Sequence, residues 1–158
     1  MKTLLSFILL FCFMWSAFSQ TSLVANTGDS EFDQFLKDLN IQAQTDIKLF
    51  NKNLSIKYNV PENKIETMIV KDKIAPADVF MIFETAQMVN KPADEVLQVY
   101  YKKKEKGWGY MAKQMGIKPG SKEFHAMKGK AKSENENMKK GKGHGKDKMK
   151  QKPIKKMK

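Results

Sequence analysis

Gly107–Met127, GWGYMAKQMGIKPGSKEFHAM, decides how the rest of the chain is read. Trp108 stands between Gly107 and Gly109, directly after the charged run 102–106. From Trp108 the apolar positions are 108, 111, 112 and 115, a spacing that puts Trp108, Met111, Ala112 and Met115 on one face of a two-turn helix. Gly116 then stands where a left-handed residue ends a helix, with Ile117 as its apolar partner. Pro119-Gly120 predicts a tight turn, because Pro presets φ and Gly accepts a positive one. Ser121 is placed to cap a second short helix carrying Phe124, His125 and Met127. The stretch therefore predicts helix, turn, helix.

Over about twenty residues this pattern resembles the DNA-binding helix-turn-helix of repressors and sigma factors: Ala112 in the first helix, Gly116 four later, then Ile117 and Pro119-Gly120-Ser121. It departs from that motif at Lys122, where the second helix of such proteins carries an apolar residue. A broader likeness covers roughly residues 33 to 128. It rests on Asp38–Ile41 with Ala43, Ala75-Pro76-Ala77-Asp78-Val79, Lys91-Pro92-Ala93-Asp94-Glu95-Val96, Gly107-Trp108-Gly109 and Gly116–His125. These segments resemble a family of small secreted bacterial proteins without an assigned activity. That resemblance implies a shared fold and export; it implies no catalytic, cofactor or binding residue.

Residues 1–19 have the form of a secretory signal peptide. Lys2 supplies the positive start, Leu4–Phe18 is almost wholly apolar, and Ala17-Phe18-Ser19 sets small residues three and one before a cut ahead of Gln20. The run falls short of the ~20 apolar residues of a spanning helix. Cys12 lies inside it and is the one cysteine of the chain, so the mature protein forms no disulfide. From Gln20 onward there are 28 lysines, no arginine and 17 acids. Residues 20–125 carry 15 lysines against 14 acids, and residues 126–158 carry 13 lysines against 3. The basic character belongs to the end of the chain.

Residues 20–29 are polar and predict a linker. Ser30 is positioned to cap a helix with Glu31 and Asp33 in its first turn. Its stripe of Phe32, Phe35, Leu36, Leu39, Ala43, Ile47, Phe50 and Leu54 continues to about Tyr58, with a break indicated near Asn40. Val60-Pro61, Ala75-Pro76 and Asn90-Lys91-Pro92 punctuate the following helices over 62–73, 77–89 and 92–104. The fold class expected is all-α: a small bundle of five or six short helices over residues 30–127. After Phe124 no aromatic residue appears, and residues 128–158 read as a disordered polybasic tail. Met127, just before it, and Met138 and Met149 within it fall eleven apart, as a decayed repeat or by chance.

The composition argues against an enzyme. Ser121, Glu123 and His125 lie close in sequence, yet residues on one short helix do not assemble a triad. Asp94-Glu95 is explained by a helix first turn. No metal site or cofactor is indicated. The stretch supplies a structural motif (Trp108, Gly109, Ala112, Gly116, Pro119, Gly120, Ser121, Phe124 and His125), and the tail supplies anion-binding lysines (Lys139, Lys140, Lys142, Lys146, Lys148 and Lys150). Lysines without arginine or interleaved aromatics suit phosphate-bearing surfaces rather than base readout. The expectation is an exported, periplasmic or extracellular, non-catalytic binding or structural protein of the cell envelope. Its partner would be an anionic surface of lipid, glycan or extracellular nucleic acid. The alternative is a helix-turn-helix-like nucleic-acid binder, and a third reading is copper handling by His144 with the tail methionines.

Overall fold

The computed structural model describes residues 22–144, with side chains as far as 141. The predicted signal peptide and the lysines beyond His144 lie outside the described residues. Among the described residues seven α-helices follow one another: α1 Ser30–Thr45, α2 Ile47–Tyr58, α3 Glu62–Val70, α4 Pro76–Val89, α5 Ala93–Lys103, α6 Trp108–Gln114 and α7 Lys122–His144. A 3-10 turn, Lys104–Lys106, joins α5 to α6. The described residues contain no strand. The chain is all-α, as its periodicity predicts.

α4 is the axis. Pro76 occupies its first turn, where a missing N–H costs nothing, and every residue from Pro76 to Ala86 is buried. A helix covered on all sides belongs at the centre of a bundle. Around it stand α1, α2, α3, α5 and α7. Its core includes Phe80 and Ile82 with Phe32, Leu36 and Leu39 of α1, Phe50 and Leu54 of α2, and Ile65 of α3.

The helix boundaries correct two expectations. Asp29, not Ser30, caps α1: its carboxylate accepts from the Phe32 amide at 2.9 Å. The first run divides at Asp46 rather than near Asn40. Asp46 closes α1 through its own N–H and caps α2 by accepting from the Leu49 amide at 3.0 Å. One carboxylate serving as the cap of a new helix fixes the break. At the other end, Asn59 and Asn90 take the left-handed conformation that stops α2 and α4.

The larger correction concerns residues 128–144. They were expected to be disordered and instead extend α7, whose strongest packing partner is α1. Phe124, Met127, Ala131, Glu134, Asn135 and Met138 are all buried, a three-and-four spacing that makes one continuous stripe. Ala and Met supply little hydropathy, but they fill a narrow helix–helix seam well. The eleven-residue interval from Met127 to Met138 is three helical turns, so the apparent repeat is one face of one helix. Lys128 also grips the start of α1, 2.8 Å from Asp29 and 2.7 Å from Glu31.

The linker expected at 20–29 is also corrected for residues 22–29. The Trp108 amide donates to the Ala25 carbonyl at 2.8 Å and the Gly109 amide to that of Asn26 at 2.9 Å. Thr27 is buried, and its hydroxyl donates to Asp33 at 2.8 Å. This segment is a strap laid against α6.

Candidate functional site

The structural motif read from the sequence falls into two parts. In the first, Trp108 is 1% exposed and donates its indole N–H to Asp78 at 2.7 Å. Tyr100 donates its hydroxyl to the same carboxylate at 3.1 Å, and the Val24 amide does so at 3.1 Å. Asp78 sits in the first turn of α4 with no exposed surface. Burial pushes its carboxyl up to about 6, against the pull of the Trp108, Val24 and Tyr100 donors and of Lys104. Gly109 is glycine because a Cβ there would lie 2.5 Å from the Thr27 carbonyl oxygen. This constellation pins the 22–29 strap, α4, α5 and α6 together.

In the second part the turn chemistry is as the sequence predicts. The Ile117 amide reaches the Ala112 carbonyl at 2.9 Å and the Gly116 amide reaches Lys113 at 3.0 Å, with Gly116 at φ +93°. That pair of bonds is a Schellman cap, and buried Ile117 closes it. Pro119 and Gly120 (φ +74°) form a turn closed by the Ser121 amide on the Lys118 carbonyl at 3.0 Å. Ser121 caps α7, its hydroxyl accepting from the Phe124 amide at 3.2 Å. Phe124 is buried edge-on against Phe32, while His125 is exposed. α6 packs on α5 and the 3-10 turn, whereas α7 packs on α1, α4 and α2. The two helices that resemble a helix-turn-helix therefore lean on different neighbours.

The anion-binding lysines divide. Lys139 and Lys140 are exposed on α7, and Lys142 lies on the same helix. Lys146, Lys148 and Lys150 lie outside the described residues. Met138, a candidate copper ligand, is fully buried against Asn53 of α2. Among the described residues no three His, Cys, Asp or Glu side chains are grouped to hold a metal ion.

What sequence reasoning missed is a groove of about 550 Å³ between α2 and α7. Leu49 and Ile56 form its apolar wall, and Lys57, Lys130, Asn137 and Lys140 supply much of the polar remainder. Two carboxylates lie behind the ammonium groups. Glu84, with no exposed surface, accepts from the Tyr58 hydroxyl at 2.8 Å and pairs with Lys130 at 2.6 Å. Glu134 is 3.6 Å from Lys57 and accepts from the Asn53 amide at 3.3 Å. The Lys57 ammonium lies between the two carboxylates and over the Phe80 ring, 4.8 Å from its centroid. Burial, together with Glu84 and Glu134, drives the Tyr58 hydroxyl far above its ordinary range, so it remains a donor. The one sequence signal for this site was Glu134 falling in register with Met127, Ala131 and Met138.

No family model, curated protein or solved structure matches the chain. No helix among the described residues is long and apolar enough to cross a membrane.

Proposed function

We propose that this chain is an exported, non-catalytic protein of the cell envelope that binds anionic surfaces through its lysine-rich C-terminal part. One observation carries the reading: the lysines of α7 separate into those that hold the fold and those that face solvent. Lys128 and Lys130 are engaged by Asp29, Glu31 and Glu84. Lys132, Lys139 and Lys140 are exposed and have no carboxylate partner among the described residues. Seven more lysines follow His144. Lysines clustered near a charged membrane contribute up to ~1 kcal/mol each, and salt screens them. The apolar leader read in the sequence supports export.

The test is sedimentation of the mature chain with vesicles of phosphatidylglycerol and phosphatidylcholine in equal parts. Retention is expected at about 0.05 M salt and lost at about 0.5 M. Truncation after His144 is expected to reduce it strongly. Retention indifferent to salt and to the truncation would reject the reading. The nucleic-acid alternative gains nothing from the geometry, since α6 and α7 pack apart.

A further inference from the structure

We propose that the groove between α2 and α7 binds the phosphate headgroup of a single anionic phospholipid. Lys57, Lys130 and Lys140 would hold the phosphate, and Leu49 and Ile56 would cover the first carbons of an acyl chain. This deepens the function proposed above and rests on it only for taking a lipid as the source of the phosphate.

Three features support the assignment. The first is charge direction. Glu84 and Glu134 have 0% and 4% of their side chains exposed, and their oxygens are turned to Tyr58, Lys130, Asn53 and Lys57. Lys57 and Lys130 keep 28% and 41% exposed, so the charge the groove offers to solvent is mainly ammonium, with the lining carboxylate of Glu134 only 4% exposed behind Lys57. Each ammonium has three N–H donors, and a buried carboxylate behind it occupies only part of that capacity while holding the side chain in position.

Second, the groove is amphipathic. Ile56 is 72% exposed, an apolar residue without a cover, directly beside the charged floor. A free phosphate would leave that wall unused; a phosphate carrying a hydrocarbon chain uses both sides. Third, α7 approaches α2 closely beside Lys140. Gly141 lies so near Leu49 that a Cβ there would collide with the leucine Cδ2.

The experiment titrates the isotope-labelled mature chain with monomeric dihexanoyl phosphatidic acid, and separately with inorganic phosphate, following amide shifts by NMR. The lipid is expected to bind more tightly than about 1 mM and to outbind inorganic phosphate by roughly tenfold. The exposed substitutions Lys140→Gln and Asn137→Asp are expected to weaken both probes by roughly tenfold. Ile56→Ser is expected to weaken the lipid and leave inorganic phosphate unchanged. Lys139→Gln, one residue away and outside the groove, should change neither. No lipid binding, equal affinity for the two probes, or equal affinity of the wild type and Asn137→Asp would each overturn the proposal. Truncation after His144 keeps the two ideas apart. It should leave lipid affinity intact while strongly reducing vesicle retention, so either result can fail without the other.

Discussion

Asp78 shows how one buried carboxylate organises a region whose hydropathy gives no hint of it. It receives Trp108, Tyr100 and Val24, residues from three separate parts of the chain. Ala75-Pro76-Ala77-Asp78 reads as an ordinary helix start, and the acid reads as a partner for the helix dipole. Only the fold brings the indole and phenol donors to it. The displacement of this carboxyl to about 6 from its ordinary 3.8 carries a pH dependence. A raised folded value means the native state holds the proton longer than the unfolded one. Its stabilising contribution is therefore complete below about pH 4 and is lost as pH rises through about 6, an effect of about 3 kcal/mol. Asp78→Asn has no proton to lose. The difference in unfolding free energy between wild type and variant is thus expected to move by about that amount in the variant's favour from pH 4 to pH 7, measured by urea unfolding. A difference constant across that range would show that the carboxyl is not displaced.

At the scale of elements, α7 is where sequence and structure part most clearly. Its lysines, glycines and asparagines resemble a solvated tail. The stripe 124, 127, 131, 134, 138 is visible in retrospect, but it contains one aromatic, two methionines, an alanine and a glutamate. Composition over that window is polar because one face of a long helix is polar, and an averaged hydropathy cannot separate the faces. α6 and the turn after it are the opposite case. Gly116, Pro119, Gly120 and Ser121 each act through local backbone geometry, so their reading needed no partner. Truncation after Met127 removes Ala131 and Met138 from the core and unpairs Glu84 from Lys130. It is expected to cost at least ~3 kcal/mol in urea unfolding, with loss of a sharp transition. Truncation after His144 should leave the midpoint unchanged. A stable, cooperative chain ending at Met127 would return residues 128–144 to the status of a tail.

For the whole molecule, the division of charge persists, but its boundary moves. The basic segment is not simply hung from a neutral body; its first half is the helix that packs along α1. Lysines that stabilise, Lys128 and Lys130, and lysines that face outward, Lys132, Lys139 and Lys140, share that helix. Replacing Lys132, Lys139 and Lys140 together by Gln is therefore expected to lower vesicle retention while shifting the thermal midpoint by no more than ~2 °C, since surface lysines without carboxylate partners contribute little to stability. A large loss of stability would mean that these side chains belong to the packing instead.

The amino-acid sequence by itself settled the helical class, the stops at proline and asparagine, the cap at Gly116 and the turn into α7, because each depends on contacts within a few residues or on a regular period. The extent of α7, the strap at residues 22–29, the donors gathered on Asp78 and the groove between α2 and α7 came from the folded arrangement. Each of these joins residues from 6 to 99 positions apart. Whether a lysine, a glutamate or a methionine is solvated or buried depends on what stands opposite it, and that neighbour is set by how the helices pack around α4.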